Sequence, residues 1–319
     1  VRKIATAVTF ELHDPFAFWR MPTMRIRNYF RRADRVQQGL RLGLLGIGLS
    51  LGAAALQPAV ALAGPKDFVI YTTRLGGDAE QAKPYIDKFA AYLDKTTGWA
   101  AGSAKGVFLP SRKEVLAALP TQKPGFGVLE PSLFLSQQKT DGLQVLAQVE
   151  STDLNTPKLH VLVKNPAFKT LADLDGKKLW TQLADAPQYL NNVVLDGKGD
   201  AATRFQLKQI GVATKGIRAV IRGEADATLV DDEQLAEAKK MEGGADLKTV
   251  YTSPALPPLL VVSFGTSLSA ADRQSLTKAL LGMCATATGK DICKEMHITR
   301  FAPAAAALLT TTQKRYGQP

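Results

Sequence analysis

Cysteine, histidine and aromatic residues are scarce in this chain, and each shortage removes a class of function. Two cysteines, Cys284 and Cys293, stand in 319 residues. That is too few for a disulfide-built scaffold. Their C-x8-C spacing, with no histidine or second cysteine pair close by, is not a zinc pattern either. Histidine occurs three times, and beyond residue 63 only as His160 and His297. Neither stands beside a nucleophile motif such as Gly-x-Ser-x-Gly. Gly125-Phe-Gly127 is too short for a phosphate-cradling or dinucleotide loop. No catalytic residue, metal ligand or cofactor is therefore assigned, and the chain reads as a non-enzyme.

Long apolar runs are also missing, with one exception. Residues 42–56 are apolar over about 15 positions, short of the roughly 20 needed to span a bilayer. The run follows a basic stretch (Arg25, Arg27, Arg31, Arg32, Arg35, Arg41) and precedes Gln57-Pro58 and Ala61-Leu-Ala63. Basic, apolar, then small residues is the order of a secretory signal peptide. Residues 24–63 are read as that signal, with cleavage after Ala63, and residues 1–23 as an upstream extension. No cysteine follows the apolar run, so no lipid anchor is expected. The expected compartment is the periplasm, where Cys284 and Cys293 become a candidate disulfide and Gly289 between them a candidate helix end.

The net charge of +11 is concentrated at the front of the chain. Residues 1–63 hold nine Lys/Arg and three Asp/Glu; taking these from 40 bases and 29 acids leaves 31 and 26. The remaining bases alternate with acids instead of forming a stripe with interleaved aromatics, so nucleic acid is not an expected partner.

Beyond residue 63 the pattern alternates between short apolar runs and helical spacing, which argues an α/β architecture. Strands are expected at 68–71, 107–109, 126–129, 143–149 and 159–163. Helices are expected at 78–97, at 111–119 with Ser111 and Glu114 as a capping box, and at 131–138. A second α/β set begins near Asn165-Pro166. It has a turn at Asp175-Gly176 into a strand, helices at 188–195 and 201–210, a helix end at 216–221, and strands at 226–230 and 247–251. An extended segment at 259–263 and helices at 270–286 and 290–296 follow. Two extended segments, about 157–164 and 247–262, flank the second set. They predict two lobes joined by two crossings: 64–164 plus 252–319, and 165–251. Ligands in open α/β sheets sit beyond the carboxyl ends of the strands, which places a solute between the lobes.

Four stretches together resemble a known family: Lys83-Pro-Tyr85 through Tyr92-Leu-Asp-Lys-Thr-Thr-Gly98, Leu171-Ala-Asp-Leu-Asp-Gly-Lys177, Ala219-Val-Ile-Arg-Gly-Glu-Ala-Asp-Ala227 and Ser253-Pro-Ala-Leu-Pro-Pro258. In order and spacing, over about residues 66–303, they are similar to the periplasmic substrate-binding proteins of ABC importers with the type II fold, and specifically to the phosphate, phosphite and phosphonate branch. The resemblance implies capture of a small solute, with phosphate- or phosphonate-like anions among the candidates, for delivery to an ABC permease by a monomer. The alternative is a sensing module of the same fold that partners a membrane receptor. One stretch departs from the family pattern. Gln182-Leu-Ala-Asp-Ala-Pro-Gln188 lacks the hydroxyls that hold an oxyanion at the start of the second-lobe helix. Asp185 would repel an anion there, and Pro187 removes an N–H donor.

The strand-end rule nominates Tyr71, Thr72, Thr73 and Arg74 after the first strand. Ser111 and Arg112 follow the second, and Glu130 and Ser132 the third. Gln182, Asp185, Gln188 and Asp231 come from the second lobe. Arg74 and Arg112 suit a carboxylate or phosphoryl group, and Glu130 an amine or hydroxyl. Asp231 and Asp232 either meet a ligand or cap the next helix. Tyr71 and Tyr189 either touch a solute or belong to the core.

Overall fold

The computed structural model describes residues 64–73, 79–151 and 157–317. The expected signal peptide and Arg74 lie outside the described residues. All described residues fall within one compact unit, which contains two sheets.

The first sheet has the strand order β11-β4-β10-β3-β1-β2. Its core is β1 (Phe68–Tyr71), β2 (Gly106–Phe108) and β3 (Phe126–Leu129), all parallel. β1 and β3 are buried along their whole length, as strands covered on both faces must be. β4 (Gln144–Ser151), β10 (Leu260–Ser263) and β11 (Ile298–Ala302) extend the sheet antiparallel. The second sheet runs β7-β6-β8-β5-β9. It uses β5 (Leu159–Val163), β6 (Lys178–Thr181), β7 (Gln206–Gln209), β8 (Ala227–Asp231) and β9 (Lys248–Thr252).

Helices fill the crossovers. α1 (Ala79–Thr97) buries Ile86, Phe89, Ala90 and Leu93 against the first sheet and ends at Gly98, whose φ of +77° suits a glycine. α2 (Arg112–Gln122) starts with the expected Ser111/Glu114 capping box. α3 (Pro131–Gln137) and the short α4 (Pro187–Tyr189), which continues as a π turn over Leu190–Val194, both begin with proline at a position that needs no donor. α5 (Ala201–Arg204), α6 (Ala213–Ile221) and α7 (Asp232–Lys240) complete the second lobe. α8 (Ala270–Gly282), α9 (Ala287–Glu295) and α10 (Ala306–Tyr316) return to the first.

Three expectations need correction. Residues 201–210 are not one helix: α5 stops at Arg204 and β7 follows, because Leu207 pairs beside Leu179 of β6 while alternate residues face solvent. The helix expected over 270–286 ends at Gly282, and Thr286 instead caps α9 by accepting the Gly289 N–H at 3.1 Å. Gly289 therefore ends no helix. It lies buried inside α9, where a side chain would meet the Met283 carbonyl. Cys284 and Cys293 do form a disulfide, with Cα atoms 5.7 Å apart. β11 and α10 were not anticipated.

One apolar cluster, containing Phe68, Phe89, Trp99, Phe126 and Phe301, belongs wholly to the first lobe. A second, with Trp180, Ile217 and Val220, belongs wholly to the second. A third is shared: Tyr71, Leu133 and Phe134 join Leu183, Leu190 and Val194. The crossings are tied to one another. Leu159 N–H donates to Ser253 Oγ at 2.9 Å, and Leu256 N–H to the Pro157 carbonyl at 2.9 Å. α10 makes a further link. Gln313 donates to Gln138 of the first lobe at 2.9 Å. The Tyr316 carbonyl accepts from Gln188 and Asn192 of the second at 2.9 and 3.2 Å. Arg315 reaches Asp196 there at 3.3 Å.

Candidate functional site

The parallel strands β1, β2 and β3 end side by side, so the residues after them form one crest. Tyr71 and Thr72 are buried at its centre. Glu130 occupies the capping position of α3 but makes no cap bond. Its carboxylate turns instead to Thr73, accepting the backbone N–H and, at 2.8 Å, the hydroxyl. Ser111 is spent on its capping box: its Oγ accepts the Glu114 N–H at 3.2 Å. Arg112, only 9% exposed, donates from Nη2 to Ser136 Oγ at 2.6 Å. Its Nη1 is buried without a partner, and so is the Oγ of Ser132.

The second lobe's crest is built differently. Gln182 donates to the Thr73 carbonyl at 2.6 Å and to the Gly211 carbonyl at 3.0 Å, so it bonds the two lobes directly. Asp185 donates its backbone N–H to Gln209 at 3.1 Å. Burial pushes its carboxyl above the usual carboxylate range, and the Arg112 charge pulls the other way. Gln188 is exposed and tied to the Tyr316 carbonyl. Asp231 caps α7, accepting the Gln234 N–H at 2.8 Å while Gln234 accepts the Asp231 N–H at 3.0 Å. Asp232 accepts the Lys158 N–H at 2.8 Å and meets His160 Nε2 at 3.0 Å, while His160 Nδ1 meets Thr252 at 3.0 Å. Both acids thus have the structural task of holding a helix start or a crossing.

Between the crests lies a cavity of about 100 Å³. A single water needs roughly 10–15 Å³ on this measure, so the space suits a small solute. Thr73, Glu130 and Ser132 line it from the first lobe, and Thr181, Gln182, Tyr189, Asp231 and Gln234 from the second. Pro157, Leu256, Pro257 and Pro258 of the crossings form an apolar floor. Five of the nominated residues therefore stand together on the cavity wall: Thr73, Glu130, Ser132, Gln182 and Asp231. Tyr71, Thr72, Ser111, Arg112, Asp185 and Gln188 do not line it. Tyr71 is a core residue whose hydroxyl is pushed up in pKa by burial, then by Glu130 and Asp185. Tyr189 is both core and wall, its hydroxyl pushed up by burial and by Glu130. Sequence reasoning missed Thr181 and Gln234, although a glutamine three residues after Asp231 is the other half of a capping box. Among the described residues no group of three His, Cys, Asp or Glu could hold a metal ion, and no helix is long and apolar enough to cross a membrane.

Gly125 and Gly127 have packing reasons. A side chain at Gly125 would lie 1.8 Å from the Pro65 carbonyl.

The architecture and cleft match known proteins. The profile of the family described as ABC transporter, phosphonate, periplasmic substrate-binding protein matches residues 77–309. Among solved structures, a binding protein component of an ABC phosphonate transporter from Pseudomonas aeruginosa is similar, with a TM-score of 0.59 and 15% identity over 78% of this chain and 86% of that one. A Prochlorococcus marinus protein in complex with methylphosphonate gives 0.61 and 15% over 79% and 97%. A Xanthomonas citri protein bound to ATP gives 0.63 and 14% over 79% and 97%. No curated protein sequence matches. The two-sheet α/β fold is thus that of the type II periplasmic binding proteins. The chain belongs to the periplasmic phosphonate-binding proteins of ABC transporters, which bind small solutes between two lobes for a membrane permease and are transport proteins, not enzymes.

Proposed function

We propose that this protein holds its solute in the cavity between the two crests, with Thr73, Glu130, Ser132, Gln182 and Asp231 as the polar contacts and Tyr189 as an aromatic wall. The observation that supports this is convergence: side chains from two sheets meet at one small space beyond the strand ends, over an apolar floor contributed by the crossings. The lobes then divide at the crossings, the second running from β5 to β9 (159–252) and not from 165 as expected, because β5 pairs with β8 and β9, and closing them about the crossings buries the solute. The exported form begins at Gly64, has no lipid anchor, acts as a monomer and has no business with nucleic acid.

A second reading, a sensing module that presents this fold to a membrane receptor, draws support from the direct interlobe bonds. Gln182 to Thr73 and α10 to both lobes tie the lobes together through protein contacts alone. Thermal unfolding against a panel of phosphonates, phosphate, carboxylates and amines separates the two. A ligand that binds the folded state alone raises Tm by mass action. A shift with one class, reduced in Gln182→Ala and Glu130→Gln, is expected. No shift with any class favours the receptor partner.

A further inference from the structure

Two carboxylates stand on the walls of the cavity, and no base on those walls answers them. Glu130 belongs to the first-lobe wall and Asp231 to the second-lobe wall. Both are buried, at 8% and 4% exposure. Among the described residues that line the cavity there is no lysine, arginine or histidine. The other polar groups there are hydroxyls and amides, which carry no charge, and the floor is apolar.

Two carboxylates sharing a small space repel each other, and apolar surroundings extend the reach of that repulsion. A cation entering between them relieves it. An oxyanion would add a third negative charge. Each acid already has a structural bond: Glu130 accepts from Thr73, and Asp231 accepts the Gln234 N–H at 2.8 Å. Those donors are neutral, so the charge stays in place. An ionised carboxylate also offers about four acceptor positions over its two oxygens.

The same wall holds a buried hydroxyl with nothing to bond. Ser132 lines the cavity at 2% exposure, and its Oγ has no partner. A buried polar group is normally satisfied, so this one marks a place for a ligand, and a hydroxyl can accept an N–H. Tyr189 adds an aromatic wall, whose face attracts cations. What an oxyanion would need is missing. Arg112 does not line the cavity, and its Nη2 is spent on Ser136 at 2.6 Å. In the second lobe, α4 has three residues and opens on Pro187, which has no N–H to give, after an Ala186 that supplies no cap bond.

We propose that the solute of this protein is a small organic cation, an ammonium or amidinium compound without an oxyanion, held between Glu130 and Asp231 with Ser132 and Tyr189 completing the pocket. This member of a phosphonate-binding family has thus reversed the charge of what it captures. The proposal rests on the cleft being the solute site and adds the sign of the solute. Selection comes from both lobes, since each contributes one carboxylate.

Isothermal titration of the purified protein with ethanolamine, choline and guanidinium, and with methylphosphonate, inorganic phosphate and acetate, tests this. Wild type is expected to bind at least one cation and none of the anions. Glu130→Gln and Asp231→Asn should each weaken the cation about tenfold or more, and Ser132→Ala roughly threefold. Asparagine still caps a helix, so Asp231→Asn removes charge without removing the α7 cap and carries the test if Glu130→Gln does not fold. Cation binding unchanged in both acid variants, yet lost in Gln182→Ala, overturns the role of the acids while leaving the cleft reading intact. Binding of any anion as tightly as the best cation does the same. So does binding of 2-aminoethylphosphonate, which carries both charges, when none of the three cations binds. No binding of any probe to wild type overturns the cleft reading and the proposal together.

Discussion

The two lobes share a fold plan but differ in what they spend on it. The first has the aromatic core, with Phe68 stacked on Phe126 at 4.8 Å and edge-on to Phe89 at 5.4 Å, and the disulfide. It also carries the buried charge on its crest. The second has a smaller core of aliphatic residues around Trp180, with Lys208 lying 3.7 Å over the indole, and a crest of amides and acids that bond to their own lobe or across to the other. The first lobe thus concentrates the aromatic core, the disulfide and the buried charge, whereas the second meets it through groups that lose little when water replaces the partner.

Two tryptophans make this contrast measurable, since Trp99 reports on the first lobe and Trp180 on the second. Phe126→Ala, at a fully buried site, should cost about 3–5 kcal/mol and lower the Trp99 transition in a denaturant titration. If the Trp180 transition falls equally, the shared apolar cluster makes the lobes one cooperative unit and the contrast fails. Replacing both cysteines by serine releases a short loop and should cost about 2–3 kcal/mol, again first through Trp99. Gly216→Ala attacks the second lobe. The added methyl would lie 2.1 Å from Thr228 Oγ1, so α6 must back away from β8 at about 1–3 kcal/mol, read through Trp180. The smallest effect concerns pH. Burial opposes the Glu150 charge, but hydrogen bonds from Arg300 and from Gln148, the latter at 2.9 Å, prevail and hold its carboxyl below the usual range. A lowered folded-state pKa gives stability that is present above the ordinary value and lost as pH falls through the lowered one. Glu150→Gln should therefore cost about 1 kcal/mol at neutral pH, because Arg300 is exposed, and the gap to wild type should close in acid.

Much of this was legible in the sequence, for physical reasons that differ by element. Strands such as 68–71 and 126–129 announce themselves because burial on both faces demands unbroken apolar runs. The Ser111 cap was visible because its two partners are local. β7 was not, because Phe205-Gln-Leu-Lys-Gln209 has mixed polarity at a sheet edge, and its pairing with β6 is a long-range choice. β11 pairs with β4 across some 150 residues and carries no local signal. The cavity wall was half legible. Strand-end positions are a topological rule, so the places of Thr73, Glu130, Ser132, Gln182 and Asp231 on that wall followed from it. Which side chains are already occupied depends on partners distant in sequence, as with Gln188 and the Tyr316 carbonyl, and that no strand-end rule conveys.

α10 has a practical consequence. Its last turn holds the second lobe by the Tyr316 backbone carbonyl and the first by the Gln313 side chain. The last turn of α10 is therefore a place from which to read the lobes against each other: a fluorophore at Lys314, paired with one on α1, would turn any opening of the proposed cleft into a distance.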